Sequence, residues 1–306
     1  MKVLISGGSG FIGHHLVGSL VKDGHEVVVL TRRPDAKDPP SGVRYVTWDA
    51  RSASGDWVKE LSGAQAIVNL AGASIGSWPW TKKRMDELVS SRVSPTTALV
   101  QALERMPAAL RPPVLVSASG IDYYGDRGDE IITEESGPGD SFLAKLSRQW
   151  EAAAQKAEPL GVRVVGIRTA MVFGREAYAF RLLTLPFRLF VGGPLGNGRQ
   201  WFTWIHIDDI VGLYRLALEN PRVGGPVNAV APDIRREREL AKEIGRVLRR
   251  PALIPAPAFA LSLVLGKETQ LLLHGRHAEP AKARGYGYQF RFGGLHEALE
   301  DILRPH

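Results

Sequence analysis

The N-terminal glycine turn limits the fold of this chain more than any other feature of its sequence. The stretch KVLISGGSGFIG places Gly7, Gly10 and Gly13 at GxxGxxG spacing, after a short apolar run (residues 2–6) and at the start of an amphipathic segment. In such a turn the first glycine permits the tight bend, the second lets a pyrophosphate approach the backbone, and the third allows close contact between helix and strand. We therefore predict a dinucleotide-binding turn, against the alternative of a plain strand-to-helix connection.

Short β-branched runs alternate with longer amphipathic segments along the first half of the chain, which is typical of a parallel sheet with crossover helices. This pattern predicts an α/β fold with a Rossmann-type, doubly wound parallel sheet and a smaller C-terminal α/β domain on the substrate side. The nucleotide-binding domain is expected at residues 1–175, with a contribution from residues 200–230 left open, and the substrate-side domain at residues 176–306. The predicted strands are residues 2–6, 26–30, 43–48, 66–70, 114–117 and 162–167, and the predicted helices are residues 10–22, 85–105, 141–157, 208–219 and 234–249.

Composition excludes several classes of protein. The 306 residues include no cysteine, which excludes disulfides, thiolate metal sites and cysteine nucleophiles. The apolar stretch at the N-terminus is too short for a signal peptide. The longest apolar run (residues 252–265) is interrupted by prolines and is shorter than the ~20 residues of a membrane span. We expect no membrane span and a cytoplasmic protein.

The formal net charge of +7 is concentrated in the second half of the chain. A basic half attracts nucleic acid, anionic lipid or an acidic substrate, or it is simply a solvated, arginine-rich surface. Its arginine runs, at residues 235–238 and 246–250, lack the interleaved aromatic residues on which single-stranded bases stack. No nucleic-acid partner is therefore expected.

The residues after the second predicted strand indicate the type of cofactor. An acidic side chain there would accept a hydrogen bond from the adenosine ribose of NAD, but this chain has Thr31, Arg32 and Arg33. Guanidinium groups bind phosphate oxygens through paired, charge-assisted hydrogen bonds, so the two arginines favour the 2′-phosphate of NADP(H). The alternative is that both are solvated loop residues.

Longer motifs extend over the whole chain. They are LAGA (residues 70–73), SRV with a following threonine (91–96), SASGIDYYG (117–125), QWE (149–151), GGPLGNGRQWFTWIHIDD (192–209), PAFALSLVLG (257–266), LLLHGRHAEPAKARGYGYQF (271–290) and LHEALEDIL (295–303). With these motifs the sequence resembles the extended short-chain dehydrogenase/reductases. More closely, it resembles their atypical epimerase-family subgroup, the cell-division-inhibitor homologues, which carry a C-terminal domain of unknown function. The resemblance implies an NADP-binding protein that acts on a small molecule.

The resemblance also implies further cofactor contacts. Backbone groups of Leu70 and Ala71 are expected at the cofactor, Arg92 is expected to reach its phosphate or ribose, and Val172 is expected beside the nicotinamide. An ordinary surface arginine is the alternative for Arg92. The full set of predicted cofactor-binding residues is Gly7, Gly10, Phe11, Ile12, Gly13, Thr31, Arg32, Arg33, Leu70, Ala71, Gly72, Arg92 and Val172.

The catalytic pair of the extended reductases is missing. In that family a tyrosine donates the proton and a lysine four residues later lowers its pKa, but none of the seven tyrosines here precedes a lysine at that spacing. Aligning the family's glutamate with Glu151 puts Ser147 in the lysine position and Leu143 in the tyrosine position. The usual acid/base group is therefore absent.

Other hydroxyl groups remain as candidates for the chemistry. The resemblance implies that a serine after the fifth strand bonds the reacting oxygen, and Ser119 is our choice for it. Tyr124 is the predicted proton donor, with Tyr123 as its rival. Aromatic packing at the mouth of a pocket is the alternative for both tyrosines.

The glycine-rich loop at residues 192–206 predicts a substrate pocket, because flexible backbone, polar donors and flat aromatic groups occur together in it. Its candidate residues, besides Tyr123, are Arg199, Gln200, Trp204 and His206. His206 with Asp208 and Asp209 could suggest a metal, but the aspartates precede a helix and are expected to cap it, so no metal is predicted.

Two functions remain open from the sequence. The leading hypothesis is an NADPH-dependent oxidoreductase or epimerase-like protein, since a bound nicotinamide brings hydride-transfer chemistry with it. The alternative is an NADP(H)-binding sensor or regulatory scaffold without turnover, which the missing tyrosine–lysine pair permits.

Overall fold

The computed structural model describes residues 1–33, 40–77, 79–257, 259 and 275–304. Its strands are β1 (Lys2–Ser6), β2 (Glu26–Thr31), β3 (Val43–Thr47), β4 (Ala66–Asn69), β5 (Val114–Gly120), β6 (Ile131–Ile132), β7 (Arg163–Thr169), β8 (Met171–Phe173), β9 (Trp201–Phe202), β10 (Trp204–His206), β11 (Gly225–Ala229), β12 (Arg235–Arg236) and β13 (His277–Ala278). Its helices are α1 (Phe11–Lys22), α2 (Lys82–Arg105), α3 (Phe142–Gln155), α4 (Tyr178–Arg188), α5 (Ile207–Glu219), α6 (Glu237–Leu248), α7 (Ala281–Gly285) and α8 (Leu295–Leu303).

Seven strands form one parallel sheet in the order β11-β7-β5-β4-β1-β2-β3. The chain builds outward from β1 through β2 and β3, and then returns to the other side of β1 with β4. The sheet order therefore reverses between β1 and β4. This arrangement confirms the predicted doubly wound sheet, in which ligands bind at the carboxyl ends of the strands beside that reversal.

The six predicted strands are all strands of this sheet, and the seventh, β11, was not predicted. Its sequence, GPVNA, begins with two residues that are rare inside strands. β11 lies at the edge of the sheet, so it has a partner strand on one side only. Pro226, which lacks a backbone N–H, is tolerated in such a strand. β11 can therefore form at the edge of the sheet although its sequence lacks the apolar, β-branched pattern of the predicted strands.

Side-chain oxygen atoms fix the starts of two helices. The Ser141 hydroxyl accepts a hydrogen bond from the Ala144 N–H (3.1 Å) before α3, and the Thr81 hydroxyl accepts one from the Arg84 N–H (3.2 Å) before α2. Each bond satisfies an amide that has no partner within its helix. The second cap starts α2 three residues earlier than the predicted helix at 85–105.

Helices cover both faces of the sheet. Leu16 and Leu20 of α1 pack with Ile210 and Tyr214 of α5 on one face, and residues of α2 and α3 cover the other. Full burial of one such leucine stabilises the fold by roughly 1.5–3 kcal/mol. A third apolar cluster lies among α4, α6 and α8.

The C-terminal half contributes to the sheet as well as to the third cluster. Both β11 and α5 lie beyond residue 176, yet β11 pairs with β7 and α5 packs against α1. The domain boundary between residues 175 and 176 stays a prediction. The apolar run 252–265 and the motifs 257–266 and 271–290 lie partly outside the described residues. Within the described ranges, no helix has the length and apolar character needed to cross a membrane.

Candidate functional site

A cleft of about 1160 Å³ lies at the carboxyl ends of β1, β2, β3 and β4. It is open at the point where the sheet order reverses, and the turn after β1 forms one wall. The predicted cofactor residues that line it are Gly7, Gly10, Thr31, Arg32, Arg33, Leu70, Ala71 and Gly72. Predicted residues from three separate stretches of sequence thus meet in one cleft.

The three glycines of the turn meet different demands. Gly7 has φ +75°, and a Cβ there would lie 2.7 Å from the backbone carbonyl group of Leu70. A Cβ at Gly13 would lie 2.3 Å from the Gly7 carbonyl oxygen, whereas a Cβ at Gly10 would meet only that oxygen, at 3.3 Å. The fold itself therefore requires Gly7 and Gly13, while Gly10 lines the cleft and keeps its backbone open to a ligand.

Phe11, Ile12 and Val172 lie half-buried against the core on the α1 and α5 side of the sheet. The Phe11 ring also contacts Gly174, where an added Cβ would lie 2.6 Å from Cζ. The start of α1 thus packs beside the segment that follows β8. This arrangement brings Phe11 and Val172 into one neighbourhood, and their contact with a nicotinamide stays a prediction.

Two loops form the end of the cleft beside β2 and β3. Arg32 and Arg33 follow β2 with exposed side chains, and the Thr31 hydroxyl accepts a hydrogen bond from the Arg33 N–H (3.2 Å). The second loop, residues 48–52 after β3, was not among the predicted site residues, although Trp48, Asp49, Ala50 and Arg51 all line the cleft. A polar segment directly after a predicted strand was the signal that could have found it.

Arg92 lies behind the loop formed by residues 70–73. Its guanidinium group donates to the carbonyl oxygens of Leu88 (3.1 Å) and Ala73 (2.9 Å), packs on Gly72 and lies 5.2 Å from the Trp150 ring centroid. Burial lowers the pKa of Arg92 to about 10, which leaves it charged at neutral pH. Arg92 therefore holds the loop through its backbone, and a direct contact with phosphate or ribose stays a prediction.

Ser119 lies within β5, near its end, and not after the strand as expected. It belongs with Tyr124, which follows β5, to one buried hydrogen-bond network. Ser119 donates to Glu151 Oε1 (2.6 Å), and Tyr124 donates to Asn228 Oδ1 (2.7 Å). Arg168 joins the two, since it donates to both carboxylate oxygens of Glu151 (2.9 and 2.8 Å) and to the Tyr124 hydroxyl (2.7 Å). Each candidate hydroxyl has thus given its only proton to a buried acceptor.

The environment of Tyr124 makes it a weak acid. Burial raises the pKa of Tyr124 to about 12, against the opposing effect of the Arg168 charge. Tyr123 is half-buried, and the Arg168 guanidinium lies 3.5 Å from its ring centroid. Ser147, which occupies the lysine position of the resemblance, is buried beside Gly120. The cation in this network is therefore an arginine paired with a carboxylate.

The residues predicted for a substrate pocket are divided between the surface and the interior. Arg199 is exposed and Gln200 half-buried, but Trp204 is buried and donates to the Asp233 carbonyl oxygen (2.8 Å). His206 is also buried, and its Nδ1 accepts from the Asp208 N–H (3.1 Å), so His206 caps α5. The pocket formed by these residues with Tyr123 stays a prediction.

The two aspartates after His206 lie in the first turn of α5 instead of at its cap, which corrects the expected capping role. Asp209 accepts hydrogen bonds from the Arg291 and Phe292 N–H groups (2.7 and 2.9 Å), and Asp208 pairs with the Arg291 side chain (2.8 Å). They join α5 to the C-terminal segment. In the part of the chain that the structure describes, no group of His, Asp and Glu residues is placed to hold a metal ion.

A doubly wound parallel sheet with a glycine turn beside its reversal point defines a dinucleotide-binding protein. The chain belongs to the NAD dependent epimerase/dehydratase family, whose model matches residues 3–230. A second model, a domain of unknown function (DUF1731), matches residues 256–302. These matches confirm the family resemblance predicted from the sequence motifs.

Relatives match over the whole chain. "Epimerase family protein SDR39U1 homolog, chloroplastic" of Arabidopsis thaliana is 37% identical over 99% of this chain and 87% of its own length. "Epimerase family protein YfhF" of Bacillus subtilis is 34% identical over 99% of this chain and 98% of its own length. The crystal structure of human epimerase family protein SDR39U1 with NADPH has a TM-score of 0.87 and 36% identity and covers 99% of both chains. The chain is thus similar throughout to an NADPH-bound protein.

Proposed function

We propose that the protein binds NADP(H) in preference to NAD(H) and transfers hydride between the nicotinamide and an unidentified small molecule. The observation that carries the proposal is the pair Arg32 and Arg33, which follow β2 and line the cleft beside the glycine turn. Guanidinium groups bind a 2′-phosphate, which NAD(H) lacks. The human relative solved with NADPH supports this preference. We also propose the reducing cytoplasm as its compartment, on the basis of the cysteine-free composition.

Titration with the two reduced cofactors tests the preference. Trp48 lines the cleft, so quenching of tryptophan fluorescence reports binding directly. We expect NADPH to bind at least tenfold more tightly than NADH, about 1.4 kcal/mol, and Arg32→Ala to reduce that ratio. Equal affinities for the two cofactors in the wild-type protein would refute the preference.

Turnover, if a substrate is supplied, should depend on Ser119 and Tyr124 and should be slow. Ser119 donates its proton to Glu151, so this hydrogen bond must break before Ser119 can donate to a substrate oxygen. Tyr124, with a pKa of about 12, is a poor proton donor near neutral pH. We expect Ser119→Ala and Tyr124→Phe to lower the rate of NADPH oxidation by carbonyl compounds. Lys145→Ala, an exposed position on α3, is the matched control.

A second candidate function is an NADP(H)-binding sensor or scaffold without turnover. The observation that favours it is that both candidate hydroxyl protons are already donated to buried acceptors, Glu151 and Asn228. The two functions differ in one measurement, the oxidation of protein-bound NADPH in the presence of a panel of aldehydes and ketones. Bound NADPH that stays reduced with every compound supports the sensor, and consumption with any of them supports the enzyme.

A further inference from the structure

The loop after β3, residues 48–52, holds a strained and well-fixed backbone at the cofactor cleft. Asp49 Oδ1 accepts hydrogen bonds from the N–H groups of Arg51 (2.8 Å) and Ser52 (2.7 Å). The Trp48 indole donates to the Ser52 carbonyl oxygen (2.8 Å), which closes the loop from its other side. Ala50, between these contacts, has φ +61°.

A left-handed conformation is strained for a residue with a side chain. Such strain persists where the surrounding structure holds it, and it is found most often at sites that bind a ligand. Here the three hydrogen bonds hold the bend at Ala50, and the residue that follows the bend is Arg51. The strained backbone of the loop therefore fixes the position from which the Arg51 side chain starts.

Arg51 lies on the same cleft as Arg32 and Arg33 but comes from a different strand. β2 and β3 are parallel neighbours, with Thr31 opposite Thr47, so the loops that follow them meet at one edge of the sheet. The Arg51 side chain is exposed, and no carboxylate among the described residues forms an ion pair with it. The two acceptor bonds of Asp49 go to backbone amides.

We propose that Arg51 is a specificity-determining residue for the 2′-phosphate of NADP(H), which it binds from the β3 side while Arg32 and Arg33 bind it from the β2 side. This inference rests on the proposed function. A phosphate group presents three oxygens to its surroundings, so guanidinium groups on two loops bind different oxygens of the same group. NAD(H) carries a neutral hydroxyl there and gives Arg51 no charged partner. Arg51 therefore contributes to the choice between the cofactors.

The test measures NADPH and NADH affinities of Arg51→Ala by tryptophan fluorescence. We expect NADPH binding to weaken at least fivefold and NADH binding to change less than twofold. The fragment 2′,5′-ADP should lose affinity in the same proportion as NADPH, and 5′-AMP should not. Arg222→Ala is the matched control, because Arg222 is an exposed arginine in the turn between α5 and β11 and its loss changes the net charge equally.

Two further variants separate charge from loop geometry. Arg51→Gln keeps most of the side-chain length without the charge, so it should match Arg51→Ala and serves if alanine disturbs the loop. Asp49→Asn keeps the Oδ1 acceptor and should leave the preference for NADPH intact, whereas Asp49→Ala releases the loop and should weaken it.

The outcomes distinguish the inference from the proposed function. If the wild-type protein shows no preference for NADPH, the proposed function fails. If the wild-type preference is present and Arg51→Ala and Arg51→Gln both retain it in full, the inference about Arg51 is wrong and the proposed function stands. An equal loss in Arg222→Ala would also overturn the inference, because it would assign the effect to long-range charge.

Discussion

Alanine substitutions at three glycines should separate what the fold requires from what a dinucleotide requires. A methyl group at Gly18, in the middle of α1, meets no atom within 4 Å. At Gly13, in the first turn of the same helix, it would lie 2.3 Å from the Gly7 carbonyl oxygen and 2.7 Å from Gly8 Cα. At Gly10, which precedes the helix, it would meet only the Gly7 oxygen, at 3.3 Å. The same chemical change therefore has three different physical consequences.

The expected stability changes follow from these distances. Alanine in a helix interior is more stable than glycine by about 0.5–1 kcal/mol, and Gly18→Ala should gain this in full. Gly13→Ala has the same gain in helix propensity, but its methyl group must displace backbone atoms of the turn. Because such overpacking costs about 1–3 kcal/mol, we expect a net loss of stability. Gly10→Ala should lose less than about 1 kcal/mol, because alanine is a poorer N-cap residue than glycine.

Urea unfolding and NADPH titration of the same three variants make the comparison. We expect Gly10→Ala to unfold cooperatively near the wild-type midpoint yet bind NADPH at least tenfold more weakly, because its methyl group projects where the pyrophosphate would approach. Gly18→Ala should bind NADPH as the wild-type protein does. Wild-type affinity in Gly10→Ala would refute the assignment of the turn to a pyrophosphate. Wild-type stability in Gly13→Ala would refute the close helix–strand contact.

Two further predictions concern buried charged groups. Arg92→Lys should lower the free energy of unfolding by about 1.5–3 kcal/mol and weaken NADPH binding, because lysine cannot hold both the Leu88 and Ala73 carbonyl oxygens; urea unfolding with and without NADPH measures both. Burial raises the pKa of Glu237 to about 7. The contribution of protonated Glu237 to the free energy of unfolding is therefore fully present below about pH 4.5 and is lost as the pH rises through 7. Glu237→Gln should therefore be more stable than wild type at pH 8 and close to it at pH 4.5, by urea unfolding at the two pH values. A constant difference between those pH values would contradict the pKa shift.

The sheet could be predicted from the sequence where hydrophobic runs decide the structure. Five of the six predicted strands are central and are rich in apolar, β-branched residues, because helices cover central parallel strands on both faces. The sixth, β3, lies at the edge of the sheet and is partly exposed. Hydrophobic runs did not predict the seventh strand, β11, or helix α4. Gly225 and Pro226 open β11, and Pro186 lies inside α4. Tertiary packing forms both elements against their local propensity, and packing is not visible in a single stretch of sequence.

Part of the cofactor cleft could also be predicted from the sequence, and part of it could not. The glycine turn and the two arginines after β2 could be found because each directly follows a predicted strand. The β3 loop follows a predicted strand too, but its role depends on β3 lying next to β2, which is a fact of sheet order. Arg92 was expected at the cofactor from the family resemblance, and His206 was expected in a substrate pocket from its place in the glycine-rich loop. The hydrogen bond from Arg92 to the Ala73 carbonyl oxygen depends on tertiary packing, whereas His206 accepts from the Asp208 N–H, a local bond that caps α5.

The two halves of the candidate site differ in how completely they are built. The cleft beside β1, β2 and β4 has open backbone at Gly10 and exposed cations at Arg32 and Arg33, which are free to meet an anionic ligand. The network of Ser119 and Tyr124 is closed, since Glu151 and Asn228 accept the protons of these two hydroxyl groups. Reduction of a carbonyl needs a hydride and a proton, and a bound nicotinamide supplies only the hydride. A proton from Ser119 or Tyr124 therefore becomes available only when its hydrogen bond to Glu151 or Asn228 breaks. Any turnover that uses these hydroxyl groups should then be slow or narrow in substrate range.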